Sequence, residues 1–431
     1  MKAKRGWRRA LAYAVLVLFS SGATATGALA QLAYVTNQSD DSVSVIDTIS
    51  NAVTATIPVG DLPLGIASTP SGRRLYVATL NAQAVDVIDT ASNAVIATIG
   101  ACTAPLGCNP GYVAVSPDGT RAWVTMGASN EVWVIDTATQ TVITKIPVTG
   151  TQPHEVAFTP DGLFAYVTMK SGGAGDVDVI DTSTNSVVTT LSLGGQPQGI
   201  AIAGSRAYVA SPTGGRLSVI DTSSNSVSGT ISMSFPFDVV LSPDGTRAYV
   251  TNTTQDRVSV VDTATSSITT TVTVGDAPKG IDRTPGGAHV YVANELSNDV
   301  SVIATATNAV VATVPVGTNP FAVAVAPACT DADGEGFGSP GNPSCPNGSG
   351  DDCDESDPDV FPGGTELPGN LADENCDGSL GACDPQAVWR NHGQFVRCVA
   401  HEVNDLVGAG LIDPDEGDDL VSSAARSDVG R

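Results

Sequence analysis

Basic residues are scarce in this chain. Its 431 residues include 20 Lys and Arg against 45 Asp and Glu, and only four His. Five of the basic residues, Lys2, Lys4, Arg5, Arg8 and Arg9, sit at the extreme N-terminus. From Gln31 onward 15 Lys and Arg remain, for a formal net charge of −30. So few cations argue against nucleic acid and anionic membrane as partners and favour cations or basic surfaces. His154 and His289 are the only histidines before residue 328, which excludes a multi-histidine metal centre there. No run after Phe19 is apolar enough to span a membrane. Phosphate loops and dinucleotide fingerprints are absent. "HEVAF" at His154 and "HEVND" at His401 lack the second histidine of a zinc-protease motif. The first also falls on an expected strand, where the i, i+4 geometry of that motif fails.

What is present begins with an export signal. A basic stretch, an apolar core from Leu11 to Phe19 and "ALA" before Gln31 read as a signal peptide over residues 1–30. An uncleaved anchor is the alternative, and the core is short for one. The expected location is therefore secreted, periplasmic or cell surface. All eight cysteines follow the signal, and an even count in an exported chain suggests disulfides. Cys102 and Cys108 are close enough for a local bridge, and the other six lie beyond residue 328.

The middle of the chain repeats. "YVTN" at Tyr34 recurs in looser form at Tyr76, Trp123, Tyr166, Tyr208, Tyr249 and Tyr291. "VIDT" recurs at Asp47, Asp89, Asp136, Asp181, Asp221 and Asp262, with Ala304 in the seventh copy. A Pro-x-x-apolar element starts at Pro63, Pro110, Pro153, Pro197, Pro236, Pro278 and Pro320. The period is roughly 40 to 47 residues, and each copy reads as four Val-, Ile- and Thr-rich strands between Gly, Pro, Asn and Asp. This predicts an all-β, seven-bladed β-propeller over residues 31–327. The chain enters at the second strand of a blade and leaves with an orphan first strand, Phe321 to Pro327. That orphan is expected to complete the first blade and close the ring.

These three linked elements, "AYVTN", "VSVIDT" and "PLGIA", resemble the YVTN-repeat propellers, often exported or cell-surface proteins. The resemblance covers nearly all of 32–327. It implies the fold but not one activity, since such propellers serve as binding modules, lactonases and quinoproteins.

Function is expected where the copies differ. The repeated Asp suits a turn cap better than catalysis, which needs a residue once. The repeated Tyr reads as packing. The variable residues after each Pro are expected to ring the channel mouth: Leu64, Tyr112, His154, Glu155, Gln198, Phe237, Asp238, Lys279 and Phe321. Of these, His154, Glu155, Gln198, Asp238 and Lys279 are the candidate ligand-binding residues. No catalytic residue is assigned, although His154, Glu155 or Asp238 offers acid–base chemistry in principle.

Composition changes abruptly after Pro327. Residues 328–380 hold 13 Asp and Glu and no Lys or Arg. "DADGEGFG" matches the first half of an oxygen-ligand calcium loop, with Asp331, Asp333 and Glu335 alternating before Gly336. Position twelve of that pattern is Asn342 rather than Glu. Further ligands must come from Asp352, Asp354 and Asp357, or from Asp373 and Asp377. Hard oxygens, with no Met cluster or His, favour calcium over copper. A solvated acidic spacer is the alternative. Too few apolar residues are present for a core, so Cys329, Cys345, Cys353 and Cys376 are expected to staple the loops.

The order "DADGEGFG", "DDCDESDPDVFPGG", "DENCDG" resembles the metal-binding module named for the copper-binding surface protein MopE, over about 331–378. Pro368 stands where that pattern has a Cys after "TEL". Pairing of Cys376 with Cys329, and of Cys345 with Cys353, is the alternative to the family's disulfides. Residues 381–431 read as two short helices, the second capped at Asp413, held by a Cys383–Cys398 bridge or docked elsewhere.

Three functions fit these observations. The first is an exported, non-enzymatic propeller that binds a protein or cell-surface component and carries a calcium module. The second is a lactonase-like hydrolase working at the channel. The third is a structural adhesion protein. The mixed, His-poor ring favours the first.

Overall fold

Strands dominated by Val, Ile and Thr, punctuated by Gly, Asn and Asp, give antiparallel sheets joined by turns across the described residues of the repeat. The structure is a computed structural model and describes residues 31–100, 107–170 and 176–327, with the single helical residue Val421. The expected signal peptide, Cys102, the acidic module and the rest of the C-terminal helical segment lie outside the described residues.

Seven sheets of four strands form the seven blades of a propeller. Blades 2 to 7 run in sequence from Pro63, Pro110, Pro153, Ile200, Pro236 and Pro278. Blade 1 is composite. The C-terminal strand Pro320–Ala326 pairs antiparallel with Leu32–Asn37, matching Tyr34 to Ala324 and Val35 to Val323. The expected closure is thus present, and no second strand is left as an open edge.

Burial explains the apolar pattern. The second strands are buried on both faces, as in Phe164–Met169, whereas outer strands such as Thr141–Pro147 alternate inward and outward. Each interface between neighbouring blades has its own apolar cluster. In one, Tyr166, Val177 and Val179 of blade 4 meet Ala207, Val209 and Ile220 of blade 5. At roughly 25 cal/mol per Å² of apolar surface, these interfaces are the main stabilising term.

The repeated polar residues are structural, and some do more than pack. In blade 1, Asp47 Oδ1 accepts the Ile49 and Ser50 amides, and Asn51 follows at a φ of 51°. Asp136, Asp181 and Asp221 do the same in their own turns. Ala304 lacks the side chain, and its carbonyl closes the turn by accepting the Asn308 amide at 2.8 Å. The repeated Tyr packs, and in two copies its hydroxyl also bonds. Tyr291 Oη donates to Asn51 Oδ1 at 2.9 Å, and Tyr166 Oη to Asn225 Oδ1, each from one blade to the next.

Inner strands approach one another so closely that side chains are limited there. A Cβ on Gly199 would lie 2.5 Å from the Asp238 Cα in blade 6, whereas one on Gly229, in an outer strand, would meet nothing within 4 Å. Gly199→Ala is therefore expected to destabilise by about 1–3 kcal/mol through overpacking. Gly229→Ala should change stability by less than about 1 kcal/mol. Urea unfolding of both variants checks the contrast.

Candidate functional site

Each inner strand except that of blade 5 is irregular near its start. The ladder shifts register between Pro153 and Val156, and likewise between Pro236 and Val239 and between Pro278 and Ile281. Such bulges re-aim side chains, and they place the two residues after each proline at the channel. They also take main-chain amides out of the ladder, and a buried amide needs an acceptor.

Two devices supply acceptors. The first is the threonine of "YVT". Thr168 Oγ1 accepts the Glu155 amide of its own blade at 3.0 Å and donates to the Gln198 carbonyl of the next at 2.7 Å. Thr36, Thr125 and Thr251 repeat this two-way bond. The second device is a carboxylate. Glu155 Oε2 accepts the Ile200 amide at 3.1 Å, Asp238 Oδ2 accepts Ile281 at 3.2 Å, and Asp282 Oδ2 accepts Val325 at 2.8 Å. Each reaches from one inner strand to the next.

Four aromatic rings meet across the axis. Centroid separations are 4.2 Å for Tyr112–His154, 6.1 Å for His154–Phe237, 5.9 Å for Phe237–Phe321 and 6.0 Å for Phe321–Tyr112. The circuit joins blades 3, 4, 6 and 1, most of which are not neighbours, and two of its contacts are edge-to-face, a favoured geometry. Lys279 Nζ stands 4.5 Å from the Phe237 centroid and 3.3 Å from Glu295 Oε2.

Burial sets the electrostatics. Burial, and then the Asp238 charge, holds Glu155 well above the usual carboxylate range. Burial likewise pushes Asp238 up to about 7 and Asp282 up to about 6. Glu155 and Asp282 keep some surface open to the channel, yet protein crowds them enough for desolvation to dominate. His154 moves the other way. Burial first, then the Lys170 ammonium, depresses it far below 6.5, so the imidazole is neutral. Lys170 is itself pushed down to about 8, by burial and then by Lys279.

The five candidate ligand residues, His154, Glu155, Gln198, Asp238 and Lys279, therefore all lie on the channel-side inner strands or the segments leading into them. Glu155 and Asp238 differ from the rest, because main-chain amides bond one oxygen of Glu155 and both of Asp238. Two mouth residues were missed by reading only after each proline. Lys170 and Glu295 follow "YVTM" and "YVAN" in blades 4 and 7. Aligning that position across the repeats, as Gln38, Leu80, Gly127, Lys170, Pro212, Thr253 and Glu295, would have found them. Of the expected disulfide pairs only Cys108 is described, and it is fully buried. Metal candidates Asp331, Asp333, Glu335, Asp352, Asp354, Asp357, Asp373 and Asp377 lie outside the described residues. Among the described residues no group of three or more His, Cys, Asp or Glu is placed to hold a metal. No helix among them is long and apolar enough to cross a membrane.

Clefts also occur between blades near the first-to-second-strand turns. One of ≈ 480 Å³ is lined by Trp123, Phe158, Ile143 and Leu163. Its counterparts between blades 2 and 3 and between blades 6 and 7 use the same turn elements, so these clefts follow from the repeat.

Two family models match parts of the chain. Residues 206–314 match the lactonase, 7-bladed beta-propeller family. Residues 352–380 match the Cu-binding MopE metal-binding motif. No curated protein matches. Among solved structures, hydrazine synthase of Kuenenia stuttgartiensis is 23% identical with a TM-score of 0.57, over 63% of this chain and 92% of that one. A functionally unknown protein from Desulfotomaculum acetoxidans is 16% identical with a TM-score of 0.58, over 69% and 99%. The dihydro-heme d1 dehydrogenase NirN is 17% identical with a TM-score of 0.52, over 68% and 74%. At these identities the likeness is one of fold.

The buried acids predict a pH dependence. Asp238 and Asp282 hold protons in the folded state that the unfolded chain releases at ordinary carboxylate values. Their contribution to stability is thus full near pH 4 and is lost as pH rises toward 7. His154 opposes this, because below 6.5 the unfolded chain takes up a proton that the folded state refuses. The turn aspartates, lowered by hydrogen bonds from the hydroxyls and amides of their own turns, act only below about pH 4. Asp238→Asn removes one acidic term. Relative to wild type it should gain roughly 1–3 kcal/mol in unfolding free energy between pH 4.5 and 7.5. Urea denaturation across that range checks this, and a pH-independent difference contradicts it.

Proposed function

We propose that the protein is an exported, non-enzymatic binding propeller whose channel mouth engages its ligand, with an acidic calcium-binding module following the ring. The observation that carries the non-enzymatic reading is the circuit of Tyr112, His154, Phe237 and Phe321 across the channel. A general base must come within hydrogen-bond reach of its substrate. Here Glu155 and Asp238 accept strand amides, and His154 is buried within the ring circuit. Export is supported by the basic and apolar N-terminal sequence.

A lactonase-like hydrolase is the second reading, and the family match over residues 206–314 favours it. A panel of lactones, with and without added divalent metals, separates the two. The binding reading expects no turnover that depends on Glu155. Hydrolysis that falls at least a hundredfold in both Glu155→Gln and Asp238→Asn, with melting unchanged, would falsify it.

For the metal module the donor set is the argument. The match over 352–380 contains Asp352, Asp354, Asp357, Asp373 and Asp377 but no His or Met. Such hard oxygens suit calcium, whereas copper prefers imidazole and sulfur. Together with Asp331, Asp333 and Glu335 they would hold the ion, which would neutralise their mutual repulsion and order the loops. Metal analysis of the mature chain should find calcium rather than copper. Chelation should lower the melting temperature of this module, and calcium should restore it. Bound copper, or no effect of chelator, contradicts the assignment.

A further inference from the structure

Among the described residues, the mouth of the channel carries a positive charge that no ion pair compensates. Lys279 is paired with Glu295 at 3.3 Å and lies over the Phe237 ring. Lys170, at the corresponding position to Glu295 in blade 4, has no carboxylate within ion-pair distance among the described residues. It is nevertheless partly buried, close enough to His154 to depress that imidazole and close enough to Lys279 to be lowered by it. Two ammonium groups sharing a partly dry recess repel, and both are desolvated there.

The neighbouring acids do not remove this charge. Burial raises the proton affinity of Glu155 and pushes Asp238 up to about 7, which weakens their negative charge at the mouth, and the oxygens they offer already accept strand amides. Two further polar atoms are buried at the same place with no hydrogen-bond partner: His154 Nδ1 and Gln198 Oε1. Buried polar groups are nearly always paired, so unpaired ones beside a lone cation point to a ligand. These groups come from blades 4, 5 and 7 and lie beside the aromatic circuit.

We propose that the channel mouth binds a small ligand through an anionic oxygen group, a carboxylate or a phosphate, held between Lys170 and Lys279. In this arrangement His154 Nδ1, carrying the proton of the neutral imidazole, donates a further hydrogen bond, Gln198 Oε1 accepts one from a hydroxyl or N–H elsewhere on the ligand, and Phe237 and Tyr112 form the apolar floor. Charge-assisted bonds of this kind are the strong ones, and a partly buried site strengthens them. The proposal rests on reading the mouth as a binding surface and names the chemistry of what it binds.

Competitive acylation of lysines on the mature full-length chain, read by peptide mass spectrometry, tests it. Lys170 should react as an amine with a pKa of about 8. Succinate or inorganic phosphate should slow its acylation at least fivefold relative to sodium chloride of equal ionic strength. Lys145, on the outer strand over Trp133, should be unaffected. Protection by succinate alone identifies a carboxylate ligand, by phosphate alone a phosphate, and by both a general oxyanion site. Lys279→Gln should abolish the protection while leaving the melting temperature within a few degrees of wild type. Equal acylation in anions and in matched chloride overturns the proposal, as does protection that survives Lys279→Gln. Failure here leaves the non-enzymatic reading standing. Lactone turnover dependent on Glu155 removes that reading with no bearing on the labelling.

Discussion

The inner strand of every blade has a partner on one edge only, and the other edge faces the channel. Everything else at the centre of the ring follows from satisfying that edge. An unpaired buried amide costs about as much as a lost hydrogen bond, on the order of 1–3 kcal/mol. In this chain the threonine of "YVT" and the carboxylates Glu155, Asp238 and Asp282 reach from blade to blade to meet that need. The same bonds fix how closely the blades approach, which is why Gly199 has no space for a side chain.

That constraint changes what the polar residues of the channel mean. A buried carboxyl near a neutral histidine looks like acid–base machinery when only residue types are considered. Glu155 and Asp238 instead hold neighbouring strands, and their raised affinity for protons is a consequence of burial. Lys170 has no such duty. Its ammonium is partly exposed, lies near a second cation and donates no hydrogen bond to the described residues of the ring, so it stands out as available for recognition.

The architecture was legible because three elements recur together, and the phase of the repeat even located the closing strand at Pro320–Ala326. The role of the repeated Asp was legible too, since the "DTxxN" spacing describes a local turn. Contacts between distant positions were not. Tyr291 to Asn51 spans most of the ring's sequence, and Thr36 bonds to Leu64 only because two blades stack. The aromatic circuit joins blades 3, 4, 6 and 1, and sequence spacing carries no information about which rings meet across an axis. Lys170 was overlooked because it follows the second strand, whereas the mouth was read from the first strand alone.

The central claim is that the channel wall is sealed by bonds between blades. Native-state hydrogen exchange resolved to single amides tests it most directly. The amides of Glu155, Asp238 and Ala322 donate to threonine hydroxyls, and those of Ile200, Ile281 and Val325 to carboxylates. The account predicts that all six exchange only through global unfolding, as slowly as Val179 in the buried third strand of blade 4. Fast exchange at these six amides, at rates expected of an exposed sheet edge, would contradict it.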